Sequence, residues 1–161
     1  MSSFERLWAP WRNTFITQGH RHRCFLCAAK RSQADRRNHV VARGTAVFAI
    51  LNRYPYNNGH IMIAPYRHVG TLERLHPSEW SDMLTVSRRL VKRLHLTVHP
   101  HGFNIGLNLG RSAGAGVPGH LHLHIVPRWN GDTNFMPTLA HTKVISQSLD
   151  ELYQVLTKRS E

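Results

Sequence analysis

An α+β fold built on an antiparallel sheet is what this sequence predicts, on three observations. Segments in which apolar and polar residues alternate lie before and after one long stretch of helical period. The links between those segments are short and rich in Gly, Pro and Asn. A second helical pattern occupies the C-terminal end. Strands clustered around a helix and joined by short turns favour this class over alternating β-α units.

The elements follow in order. "HVVARG" and "AVFAILN" (Ala46 to Asn52) read as a hairpin around Gly44. A turn-rich link, "NRYPYNN", with Pro55, Asn57 and Asn58, leads to "GHIMIAP" (59–65). Pro77 suits a first helical position, and Glu79 follows in the first turn. Trp80, Met83, Leu84, Leu90, Val91 and Leu94 then fall at spacings of three, four or seven, which predicts one buried stripe lying on the sheet. In "GFNIGLNL" (102–109), Phe103, Ile105, Leu107 and Leu109 share one face, with Asn104, Gly106 and Asn108 on the other. A glycine-rich loop, "GRSAGAGVPG", precedes "GHLHLHIVPRW" (119–129). Ile145, Leu149, Leu152 and Leu156 mark the last amphipathic helix.

With 161 residues, 41% of them hydrophobic, the chain is long enough for one domain with a continuous core. No apolar run approaches the ~18 residues of a membrane span, and "MSSFERLWAPWRN" lacks the apolar stretch of a signal peptide. A cytoplasmic, soluble protein is expected. Lys and Arg number 21 against nine Asp and Glu, a net charge of +12 that makes an anionic ligand plausible, with a basic surface serving solubility and loose attraction of polyanions as the more common meaning of such charge. The basic runs "RHRCFLCAAKRSQADRR" and "SRRLVKRLH" carry no interleaved aromatic platform, so nucleic acid is possible but not favoured as a partner. Cys24 and Cys27 are too close for a long-loop disulfide staple, and their spacing suits metal or redox chemistry.

His120, His122 and His124 recur at every second position, with Leu121, Leu123 and Ile125 between them. Alternate strand residues lie ~6.8 Å apart and face the same way, so the aliphatics are expected on the core side and the histidines outward. Folding does not ask for imidazole there, since strand surfaces prefer Thr, Tyr or Val. Two such histidines could share a zinc, but the outer pair spans ~13.6 Å, too far for all three to converge on one ion. Covalent catalysis is the other reading, with one imidazole as nucleophile and its neighbours serving phosphate or a leaving group. Asn104 and Asn108 on a neighbouring strand, with the N–H groups and Ser112 hydroxyl of "GRSAGAG", would suit an anion.

His120-Leu121-His122-Leu123-His124-Ile125-Val126 matches His-x-His-x-His-x-x with hydrophobic x, and so resembles the histidine triad (HIT) superfamily of nucleotide hydrolases and transferases. The likeness extends over "AVFAILNRYPYNNGHIMIAPYRHVGTLERL". "NIGLNLGRSAGAGVPGHLHLHIVPRWNGDTNF" and the opening "LWAPWR" are similar to the bacterial diadenosine tetraphosphate phosphorylase branch. The resemblance implies a five-stranded antiparallel sheet with a packed central helix and a C-terminal helix, usually as a homodimer. It divides a single domain of residues 1–161 into an N-terminal segment (1–39), a catalytic core (40–137) and a C-terminal helix region (138–161).

By the same resemblance His122 is the nucleophile, attacking a nucleotide α-phosphate to form a nucleotidyl-histidine, and His124 assists departure of the leaving group. The attacking imidazole must be neutral, so a backbone carbonyl is expected to hold the proton on its other nitrogen. Asn52 matches a ribose-binding position, with turn capping before "RYP" as the alternative, and Asn108 and Ser112 match phosphate-contacting positions. Cys24, Cys27, His68 and His120 match the ligands of a structural zinc, and no organic cofactor is implied. The acceptor that attacks the intermediate could be phosphate, water or a sugar phosphate. Phosphorolysis of diadenosine tetraphosphate to ATP and ADP is the preferred reading. A hydrolase of dinucleoside polyphosphates or nucleoside phosphoramidates is the alternative, and a non-catalytic nucleotide-binding module comes third. His124 argues against the uridylyltransferase branch, which carries glutamine there.

Overall fold

The computed structural model describes residues 24–133 and 145–158. The opening "LWAPWR" and the Asn134-Phe135 that ends "WNGDTNF" lie outside the described residues. Helices α1 (Phe25–Arg31) and α2 (Asp35–Asn38) precede β1 (Val40–Arg43), β2 (Val47–Leu51) and β3 (Ile61–Pro65). A short 3₁₀ turn at Leu72–Arg74, α3 (Pro77–Val98), β4 (Gly102–Leu107), β5 (Leu123–Arg128) and α4 (Leu149–Thr157) complete the described chain.

The five strands form one antiparallel sheet in the order β1-β2-β3-β5-β4, so β5, last in sequence, inserts between β3 and β4. Its two faces are covered differently. On one face Val47, Ala49, Leu51, Ile61, Ile63, Leu123 and Ile125 pack with Met83, Val86, Leu90 and Leu94 of α3 and Leu152 and Leu156 of α4. On the other, Phe48, Ile50, Met62 and Ala64 pack against Leu26 and Ala29 of α1. The β5–β4 part of that second face carries His124, Gly106 and the Asn104–Val126 pair. The basic run "RHRCFLCAAKRSQADRR", which has no clear period, thus contains the helix that covers the β2–β3 part of that face.

Three expectations change. Trp80 and Leu84 are exposed rather than buried, because a helix turning ~100° per residue carries them to the flank of the Met83–Leu90–Leu94 stripe. Ile105 is also exposed, because β4 is an outer strand: Phe103 and Leu107 reach the core, whereas Ile105 remains 51% exposed; Leu109 is exposed because the strand ends at Leu107, before it. The triad histidines do not face solvent. His120, His122 and His124 are 0%, 5% and 8% exposed, and only His124 lies within β5, which begins at Leu123.

Candidate active site and metal centre

Cys24 caps the N-terminus of α1 and Cys27 lies three residues further along, on the same helical face. His68, just beyond β3, and His120, just before β5, complete a cluster whose four ligand atoms lie within 4.8 Å of one another. Zinc bonds of ~2.3 Å to sulfur and ~2.05 Å to nitrogen at tetrahedral angles separate the two atoms by roughly 3.6 Å. The observed edges fit that figure: Cys24 Sγ to His120 Nδ1 is 3.3 Å, Cys27 Sγ to His68 Nδ1 3.2 Å and Cys27 Sγ to His120 Nδ1 3.6 Å. His120 Nε2–H donates to the Pro65 carbonyl at 2.9 Å, which leaves the Nδ1 lone pair aimed at the two sulfurs. Two thiols and two imidazoles make a closed donor set that fits a structural zinc.

His122 is arranged the opposite way. Its Nδ1 lies 2.8 Å from the backbone carbonyl of His120, and a carbonyl only accepts, so Nδ1 carries the proton and Nε2 keeps its lone pair. Burial pushes the His122 pKa below 6.5, although the carbonyl partner opposes the shift. The result is a neutral imidazole with an available Nε2, as nucleophilic attack requires.

His124 belongs to a second chain of contacts. The Tyr56 backbone N–H donates to His60 Nδ1 at 3.1 Å, and the Asn52 side-chain amide lies 3.2 Å from the same nitrogen. His60 Nδ1 is therefore an acceptor, and the neutral ring carries its proton on Nε2. That proton is donated to His124 Nδ1 at 2.8 Å, which leaves His124 with its own proton on Nε2. Burial, reinforced by the neighbouring histidines, pushes His60 down to about 3 and His124 to about 4, so both rings are neutral near pH 7. The Tyr56 ring packs on both, at 4.6 Å from His60 and 5.8 Å from His124 between centroids. Gly59, which places His60, has φ +76, and a Cβ there would meet Pro127 at 2.9 Å.

The structure thus brings together His122, with its nucleophilic lone pair on Nε2, and His124, with a donatable proton on Nε2; their ring centroids are 4.8 Å apart. The Asn108 amide nitrogen lies 3.5 Å from His124 Nε2; with the proton on Nε2 both atoms are donors, so this is an approach rather than a hydrogen bond. Asn52 does cap its turn, as Oδ1 accepts from the Tyr54 N–H at 2.9 Å, and it also braces His60. Ser112 is exposed in the glycine-rich loop, and no described hydrogen bond ties it to the histidines. Sequence reasoning missed His60 and Tyr56. A signal for His60 existed in the period of two, since residue 60 shares a face with Met62, which pairs directly with His124. Tyr56 lies in an irregular link and carried none.

A family model for the HIT domain matches residues 33–131. The chain is 40% identical over 160 residues to the AP-4-A phosphorylase of Mycobacterium tuberculosis, covering 94% of this chain and 82% of that protein. Over 84 residues it is 37% identical to the asymmetrical bis(5'-nucleosyl)-tetraphosphatase of Schizosaccharomyces pombe, covering 52% of this chain and 46% of that protein. Among solved structures it resembles a Zn-bound histidine triad family protein from Mycobacterium smegmatis. The TM-score is 0.68 at 26% identity, over 83% of this chain and 90% of that one.

Proposed function

The chain belongs to the HIT domain family, and from that premise we propose that it is an enzyme catalysing phosphorolysis of diadenosine tetraphosphate to ATP and ADP. The observation that carries this reading is the His122 Nδ1–H bond to the His120 carbonyl, which leaves Nε2 as a neutral nucleophile beside the proton on His124. His122 Nε2 attacks the α-phosphorus, forming a P–N bond as the P–O bond to the leaving ATP breaks. His124 Nε2 gives its proton to the leaving oxygen, and His60 holds the ring so that this nitrogen faces the substrate. An oxygen of inorganic phosphate then attacks the adenylyl-His122, returns a proton to His124 and departs as ADP. The 40% identity with a phosphorylase over nearly the whole chain favours phosphate over water as acceptor.

Asn52 is assigned to the ribose hydroxyls, and Asn108 and Ser112 to phosphate oxygens. The place of Asn108 beside His124 supports its part, whereas Ser112 rests on its loop alone. Cys24, Cys27, His68 and His120 would hold a structural zinc, supported by the donor set and the ligand spacing. When bound, the metal would fix the backbone around His120 and take no part in bond making. A homodimer paired along β4 accords with that strand's outer position and the exposed Ile105, and a reducing cytoplasm with free Cys24 and Cys27. We take the chain as one domain, because α1 and α4, at either end, both pack on the sheet. No helix among the described residues is long and apolar enough to cross a membrane.

The test is incubation with diadenosine tetraphosphate, with and without phosphate, followed by separation of products. ATP and ADP, formed only with phosphate, are expected. AMP and ATP regardless of phosphate would make the protein a hydrolase, the activity that the fission-yeast relative's name suggests.

A further inference from the structure

We infer that Gly106 is the gap over which the leaving phosphate chain crosses the sheet, so that residue 106 sets the size of leaving group the site accepts. The inference rests on the reading of the site as a nucleotidyl-transfer centre. It starts from a glycine that the fold itself does not require. Gly106 is in the interior of β4 and is not among the described glycines of positive φ. A Cβ built on it meets nothing within 4 Å. Glycine weakens a strand, because it loses more conformational freedom on folding and packs no side chain. Where neither backbone conformation nor crowding calls for it, close approach by a ligand or by another backbone remains as the physical reason, and the pairing of Gly106 with His124 favours the ligand.

The position agrees with the path a leaving group must take. Gly106 pairs directly with His124, so a side chain there would rise beside the imidazole that donates the proton. The other sides of that ring are occupied. His60 and Tyr56 flank it with centroids at 5.0 and 5.8 Å, His122 lies at 4.8 Å, and Asn108 approaches Nε2 at 3.5 Å. Asn104, the next β4 residue on this face, is held away from position 106, its Oδ1 accepting from Arg128 Nη1 at 2.7 Å. Displacement at phosphorus puts the attacking and leaving atoms roughly in line. With the nucleoside directed toward Asn52 at the end of β2, the chain that leaves heads toward β4 and across residue 106.

The experiment compares two adenylyl donors that give the same intermediate on His122: diadenosine tetraphosphate, whose leaving group is a nucleotide, and adenosine 5'-phosphorofluoridate, whose leaving group is fluoride. In Gly106→Val the melting temperature is expected to hold or rise. With diadenosine tetraphosphate, kcat/KM falls about tenfold or more, whereas fluoride release stays within about twofold of wild type. Gly106→Ala, a single methyl in open space, shows the same selective loss to a smaller degree and keeps the comparison available if valine perturbs folding. Equal losses with both donors, or no loss with either, overturn the gap while leaving the site reading intact. Failure of the wild type to accept adenylyl from either donor overturns the site reading, and the gap falls with it.

Discussion

His120 and His122 stand two residues apart, both buried and both pushed below the ordinary histidine pKa by desolvation, His120 to about 4, yet they present opposite ring nitrogens. His120 gives its Nε2 proton to the Pro65 carbonyl and turns Nδ1 toward two cysteine sulfurs. His122 gives its Nδ1 proton to the His120 carbonyl and leaves the lone pair on Nε2. Residue type and burial do not separate the two; the backbone carbonyl that each ring meets does, by selecting the tautomer. The Cys/His cluster and the His122–His124 pair are joined through His120 itself, whose ring faces the first and whose carbonyl orients His122 of the second.

The largest expected effect comes from deleting the reactive side alone. His122→Ala is expected to lose about 10³-fold or more of turnover while the far-ultraviolet circular dichroism stays native. Because His122 is buried, some loss of melting temperature accompanies it. In His122→Gly, added imidazole should restore part of the activity, and near-wild-type turnover by either variant would break the contrast.

Removing the metal side should act on stability first. Protein purified without added zinc is expected to carry one zinc per chain by elemental analysis. The Cys24→Ser, Cys27→Ser double variant should lose both the metal and thermal stability with little change in nucleotide affinity. Metal-free wild-type protein of undiminished stability would remove zinc from this account.

A smaller effect is expected at the residue that positions His124. His60→Gln keeps a side-chain amide in place of the ring but breaks the defined proton order, and is expected to reduce kcat about 10²-fold with KM little changed. Because fluoride needs no proton to depart, adenylylation by adenosine 5'-phosphorofluoridate should be largely spared. An equal loss with both donors would make His60 merely structural.

The smallest effect is a pH dependence of stability. His60 and His124 are neutral in the fold down to about 3 and about 4, whereas in the unfolded chain they take up protons near 6.5. The unfolded state therefore binds more protons below that pH, so the stability present above 6.5 declines as pH falls toward 4. Denaturant midpoints measured from pH 8 to pH 4 should trace this decline, and His60→Gln should flatten it; a slope unchanged by the substitution would show that these rings are not its source.

Much of this arrangement was legible in the sequence, for reasons that also explain the rest. The period of two marked β2, β3 and β4 and the aliphatic side of β5, because those residues meet a continuous core. The carbonyl partner of His122 followed from the chemical need for a neutral nucleophile. Three features depend on tertiary neighbours and left no local pattern. Trp80 and Leu84 look like core residues until the sheet covers only one arc of α3. Ile105 alternates correctly but belongs to an outer strand. The triad histidines read as surface residues because the elements that cover them, α1 and the 52–60 link, carry basic and turn residues with no clear period.

The most direct test of the tautomer assignment is the identity of the atom that bears the adenylyl group. Protein labelled with nitrogen-15 in its histidine rings, loaded with adenosine 5'-phosphorofluoridate in the absence of phosphate, can be mapped by peptide mass spectrometry and phosphorus–nitrogen coupling. Adenylyl on Nε2 of His122 is the predicted result. Adenylyl on Nδ1 of that ring, on His124 or on no histidine would contradict the account.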